Sequence, residues 1–199
     1  MTNPTAGGKM KTVEDIIKET EGTRCPVRRS AYVVREFLAE PMCGRCFPCS
    51  MGSFEARLRL EALAAGEASA EDIAAIGKIA SMMQAMSMCK KGKDVAAYLL
   101  GALKEDGFNE HASGVCPSKE CPDLIEYRIT PGECILCGDC QDVCRYDAIL
   151  GEKKKSVKCC FLPFEIRQKR CVKCGECIKA CPTGAIRIVN IDTKKPVTT

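Results

Sequence analysis

The sequence predicts an α+β protein in two parts: a small helical bundle, then a small domain made from a repeated unit that carries strands. Three observations predict it. Between residues 23 and 111, apolar residues recur at helical spacing in short runs that Pro41 and Gly66 punctuate. After His111 the character changes, and Leu124-Ile125-Glu126-Tyr127-Arg128-Ile129 ends in the alternation of a half-buried strand. Beyond that strand, one cysteine-rich segment occurs twice, ending in Ala148-Ile149 and in Ala185-Ile186.

Composition narrows the function. The chain has 199 residues, enough for one or two domains with a modest core. A net charge of +4 is too mild to argue for nucleic acid, and with 5% aromatics and no Trp there is little to stack bases on. The apolar stretch from Val95 to Leu103 is far too short to span a bilayer, so no direct membrane insertion is expected. Met1 to Met10 is polar and does not look like a secretory signal. Seventeen cysteines and one histidine dominate the composition. An odd count, CxxC spacings and a polar N-terminus argue against a disulfide scaffold and for a reduced, cytoplasmic, metal-binding protein.

The elements follow in order. Residues 1–22 form a polar segment with one short helix, capped by Thr12 with Asp15 three residues on, and Val13, Ile16 and Ile17 on one face. The helical domain spans 23–111. Tyr32, Val33, Glu36 and Phe37 begin one helix, which Pro41 ends. A second begins at Ser53, with Phe54, Leu58 and Ala62 as its apolar face, and stops at Gly66. Ser69 opens a third with Ile73, Ile76, Ile79, Ala80 and Met83 inward. A fourth follows Gly92 with Val95, Leu99, Ala102 and Leu103. Residues 112–123 read as a hinge, 124–191 as the repeat domain, and 192–199 as a polar tail.

The repeat carries the chemistry. Its two copies are Cys134-x2-Cys137-x2-Cys140-x3-Cys144 and Cys171-x2-Cys174-x2-Cys177-x3-Cys181. Three cysteines two residues apart wrap one face of an iron–sulfur cube, and the fourth, past a turn, faces the other way and serves the other cube. One 4Fe–4S cluster is therefore assigned to Cys134, Cys137, Cys140 and Cys181, and a second to Cys171, Cys174, Cys177 and Cys144. Eight cysteines would also suit two zinc sites. The residues resemble the bacterial two-cluster ferredoxins over about 125–189. Cys181-Pro182 follows that family's pattern, whereas Cys144-Arg145 departs from it, which bears on the solvation and potential of the second cluster.

A third run, Cys43-Gly-Arg-Cys46-Phe-Pro-Cys49, lies in the helical half, with Cys89 at the end of a predicted helix as the candidate fourth ligand. Pro48 suits a helix first turn, whose amides favour an anionic cluster. Met42 to Cys49, Met51-Gly52, Ser87-Met88-Cys89 and Glu110-His111 resemble the C-terminal cluster-binding domain of the flavin-bearing, NADH-oxidising subunit of complex I and its hydrogenase and formate dehydrogenase relatives. The resemblance covers about 30–111. It implies that Cys43, Cys46, Cys49 and Cys89 hold one 4Fe–4S cluster fed from FMN. No glycine-rich nucleotide loop accompanies it, so no FMN or NAD site is expected in this chain. A four-cysteine zinc site is the alternative for this set.

The order of parts resembles the C-terminal region of the NADH-binding subunit of electron-bifurcating hydrogenases. That resemblance implies a zinc site near His111, Cys116 and Cys121, whose spacing suits metal ligation. The fourth ligand stays open between Cys25, Cys159 and Cys160. The bland alternative is a helix-end histidine beside buried thiols. Cys159-Cys160 also reads as a redox pair or as apolar filling beside Phe161 and Leu162. Lys153, Lys154, Lys155 and Lys158 read as a solvated loop or an attractor for an acidic partner. Met82, Met83, Met86 and Met88 read mainly as core filling around the third cluster, with part facing a flavin domain of another chain.

Three 4Fe–4S clusters would bring the formal charge from +4 to about −2. The expected function is single-electron relay between a flavin-containing partner and other redox centres of a multi-subunit oxidoreductase linked to NAD(P)H or ferredoxin. His111 has no visible nucleophile or base partner, so the chain reads as a non-catalytic component. A free ferredoxin-like carrier and a zinc-binding adaptor are the alternatives.

Overall fold

The structure is a computed structural model that describes residues 11–154 and 164–191. Lys155, Lys158, Cys159 and Cys160 lie outside the described residues, so the readings placed on them are not addressed. The chain divides into two compact units that meet between Leu124 and Ile125.

In the first unit, α1 (Val13–Lys18) starts at Thr12, whose hydroxyl accepts from the Asp15 N–H at 3.2 Å while the Asp15 carboxylate accepts from the Thr12 N–H at 3.0 Å. This reciprocal cap satisfies donors that the first turn leaves free. Val13 and Ile16 are buried, so the helix belongs to the first unit's fold. α2 (Pro26–Ala39) starts six residues before Tyr32, because Pro26 has the fixed φ of a helix first turn. Its inward face includes Val27, Val33, Val34 and Phe37.

α3 (Phe47–Ala65) also starts earlier than the apolar run suggested, with Pro48 in its first turn, and ends at left-handed Gly66. Its buried face differs from the expected one. Cys49, Gly52, Ser53, Ala56, Leu60 and Leu63 turn inward, while Phe54 and Leu58 are exposed. At Gly52, α4 (Ala70–Met86) approaches closely. A Cβ on Gly52 would stand 2.7 Å from Met83 Cγ. Bulk at Phe54 and Leu58 is therefore no guide to which face is buried.

Arg59 of α3 holds Asp72 at the start of α4 at 2.5 Å. Ser69 caps α4, its N–H donating to Asp72 at 2.9 Å. Of the four methionines expected mainly in the core, Met83 is buried and Met82, Met86 and Met88 are exposed. α4 buries only its Ile76–Ala80–Met83 stripe, and Met88 lies beyond the helix end. α5 (Lys90–Ala102) buries Val95, Ala96, Leu99 and Ala102. α6 (Phe108–Ala112) buries Phe108 and His111. Residues 112–123, read from sequence as a hinge, fold into this unit, since Cys116, Cys121 and the following Leu124 join its core.

In the second unit, β1 (Ile125–Ile129) pairs antiparallel with β4 (Ile186–Asn190), Ile125 opposite Asn190 and Ile129 opposite Ile186. β2 (Ile149–Leu150) pairs antiparallel with β3 (Glu165–Ile166). The short helices α7 (Asp139–Asp142) and α8 (Glu176–Ala180) lie against each other. The two halves repeat at the level of single atoms. The Thr130 N–H donates to the Ala185 carbonyl at 2.8 Å, and the corresponding Arg167 N–H donates to the Ala148 carbonyl at 2.7 Å. Among the described residues, no helix is long and apolar enough to cross a membrane.

Candidate metal centres

Four groups of metal-ligating side chains lie together. In the first unit, Cys43, Cys46, Cys49 and Cys89 line one cavity with Phe37 and Met42. Two helix starts aim at it, for Cys46 is the N-cap of α3 and Cys89 the N-cap of α5. Free N–H groups at such ends favour anions. The Met88 N–H holds the Cys46 thiol below its ordinary pKa against the opposing effect of burial. Burial and the neighbouring thiols push Cys49 up to about 11.

In the second unit, Cys134, Cys137, Cys140 and Cys181 line one cavity, and Cys171, Cys174, Cys177 and Cys144 line another. The last cysteine of each half thus stands with the first three of the other. The loops that achieve this use left-handed backbone at matching places: Leu136 (φ 59°) and Lys173 (φ 58°), Gly138 (φ 88°) and Gly175 (φ 84°). Leu and Lys in that region cost about 1–2 kcal/mol each. Repetition of the strain in both halves marks it as a requirement of the loop, since alternating conformations of this kind turn successive N–H groups toward one anion. Tyr127 fastens one loop, its hydroxyl donating to the Lys173 carbonyl at 3.1 Å. Burial, then the adjacent thiols, push Cys140 and Cys177 each up to about 11.

These features suit iron–sulfur cubes. Each cavity has four thiols, at least one thiol of each set is withdrawn from water, and backbone donors surround it. Thiols held protonated in the metal-free chain give up those protons on metal binding.

The fourth group is Cys25, His111, Cys116 and Cys121, all buried, with one ligating atom from each lying within 4.8 Å of the others. His111 and the two later cysteines are the residues picked out by spacing. Cys25 joins them from the N-cap of α2, where its Sγ accepts from the Arg28 N–H at 3.5 Å. His111 Nε2 lies 3.3 Å from Cys25 Sγ and 3.2 Å from Cys121 Sγ. Its Nδ1 lies 2.6 Å from the Gly107 carbonyl and donates to it, which leaves Nε2 free to ligate. Cys25 Sγ lies 3.6 Å from Cys121 Sγ, within reach of an S–H···S hydrogen bond. The Cys121 contact pulls the Cys25 thiol well below its ordinary range despite burial, and Cys121 is correspondingly raised. Glu120 closes the site from outside by accepting from the Cys25 N–H at 2.9 Å. Sequence spacing could not select Cys25, which is 86 residues from His111.

Known families match both units. The NADH-ubiquinone oxidoreductase-F iron-sulfur binding region matches residues 29–111, and a 4Fe-4S dicluster domain matches 133–185. The NADP-reducing hydrogenase subunit HndC of Solidesulfovibrio fructosivorans is 30% identical over 125 residues, 60% of this chain and 25% of that protein. An NADH-quinone oxidoreductase subunit of Streptomyces coelicolor is 31% identical over 102 residues, 50% of this chain and 22% of that protein. The chain thus spans about a quarter of the length of these relatives. It is homologous to these relatives over the matched residues, and its own matches join an NADH-ubiquinone oxidoreductase-F iron-sulfur binding region to a 4Fe-4S dicluster domain.

Proposed function

We propose that this chain is a cytoplasmic electron-transfer subunit that relays single electrons through three 4Fe–4S centres, between a flavin-containing partner subunit and other redox centres of an NAD(P)H- or ferredoxin-linked complex. The observation that carries this reading is three cavities, each lined by four thiols. A bound cube supplies a site that gains and loses one electron. The residues of this chain hold, space and desolvate it. Cys43, Cys46, Cys49 and Cys89 serve one centre, Cys134, Cys137, Cys140 and Cys181 the next, and Cys171, Cys174, Cys177 and Cys144 the third.

The Cys25–His111–Cys116–Cys121 set suits one structural zinc ion, tetrahedral and closed by protein ligands. It would tie the start of α2 to α6 and to the 112–124 segment.

Anaerobic isolation of the native assembly tests the proposal. The expected result is brown material with about twelve irons per chain, dithionite-induced paramagnetic signals, and reduction by NAD(P)H only when a co-purifying flavoprotein is present. Colourless protein holding zinc alone would overturn it.

A further inference from the structure

Ser87 is 3% exposed and its hydroxyl has no hydrogen-bond partner. A buried hydroxyl without a partner is costly to keep, so its position needs an explanation. It lies two residues before Cys89, at the C-cap of α4. Gly92, on the first turns of α5, is packed against it. A Cβ on Gly92 would stand 2.8 Å from Ser87 Oγ and 2.9 Å from Cys49 Sγ. The hydroxyl and the buried thiol therefore flank one point on the α5 backbone, in a space that only glycine leaves open. Cys49 is the most enclosed thiol of its cavity, which Phe37, Pro41 and Met42 line together with Arg45 and Lys91.

From this arrangement we propose that Ser87 is a positioning residue whose O–H donates to the Cys49 sulfur once that sulfur is bound to iron, raising the reduction potential of the first unit's centre. The inference rests on the reading of Cys43, Cys46, Cys49 and Cys89 as ligands. Its physical basis is simple. A thiolate bound to iron is a stronger acceptor than a thiol, so the hydroxyl gains its partner when the centre is loaded. One-electron reduction adds negative charge to the cube and its sulfurs, and a donor aimed at a ligand sulfur stabilises the reduced form more than the oxidised one. Gly92 keeps the two groups close by leaving out a side chain.

The test uses the anaerobic full chain with wild-type sequence, Ser87→Ala, Ser87→Thr and Ser87→Val. The signal of the first centre is identified as the paramagnetic signal lost in Cys89→Ala. Its midpoint potential is then read by dithionite titration, alongside iron content. The expected result is a midpoint shifted to more negative values in Ser87→Ala and Ser87→Val, with Ser87→Thr staying near wild type. Thr and Val share a shape and differ in the hydroxyl, so the pair separates hydrogen bonding from packing. Loss of the centre in Ala and Val but not in Thr also supports the proposal. Equal midpoints in all four proteins, or loss of the centre in all three variants alike, would overturn it. A wild-type chain with no Cys89-dependent signal would instead overturn the ligand reading itself.

Discussion

Cys25 Sγ lies 3.3 Å from His111 Nε2, across 86 residues of chain and in full burial on both sides. Burying the polar imidazole this deep is costly unless both of its nitrogens find partners. With Cys116 and Cys121, Cys25 and His111 form the most enclosed set of metal-ligating side chains among the described residues. Cys25→Ala should lower bound zinc from about one per chain to near none and lower the thermal midpoint of the first unit. Elemental analysis of the variant beside wild type checks this. Zinc retained at full stoichiometry in Cys25→Ala would refute the ligand set.

Gly92→Ala should cost the first centre its iron, because the added methyl group would meet both Ser87 Oγ and Cys49 Sγ at under 3 Å. Cys89→Ala should do the same by removing a thiol. In both variants iron falls from about twelve to about eight per chain, since each cube holds four. Anaerobic iron counting reads the result directly. An unchanged count in Cys89→Ala excludes it as a ligand.

The exchanged cysteines of the second unit predict a specific pattern of double variants. Cys144 lines the cavity of Cys171, Cys174 and Cys177. Cys144→Ala combined with Cys177→Ala should therefore lose no more iron than either change alone, about four per chain. Combining Cys144→Ala with Cys140→Ala should lose about eight. The opposite ordering would mean that each half binds its own cube.

Leu58 and Leu60 on α3 make a controlled comparison. Leu60 is 0% exposed and Leu58 is 43% exposed. Leu60→Ala should destabilise the first unit by about 2–5 kcal/mol, and Leu58→Ala by no more than about 0.5 kcal/mol. Denaturant unfolding followed by helical circular dichroism distinguishes them, and similar midpoints for the two variants would contradict the buried face described above.

Much of this was legible in the sequence, for reasons that differ by element. The caps at Thr12 and Ser69 were readable because they depend on residues three apart, and Gly66 ended α3 as a left-handed stop does. The strand at 125–129 was readable because one face of it is buried. The inward face of α3 was not, because Gly52, Ser53 and Ala56 on that face are small, and small residues leave little hydrophobic signature. Cys25 was one of three candidates for the fourth place and could not be singled out, for a different reason. Its neighbours in the fold are distant in sequence, and a lone cysteine before Pro26 looks like any helix cap. Spacing spoke clearly for cysteines three apart and was silent on which distant thiol completes the His111 set.

The matching left-handed residues and the exchanged fourth cysteines have a consequence for how the second unit can be dismantled. Neither half owns a complete set of thiols, since Cys181 stands with the earlier loop and Cys144 with the later one. A polypeptide severed between β2 and β3 would leave each cavity with three of its four thiols, complete again only when the fragments re-dock as partners. The two halves are therefore interlocked and not separable modules.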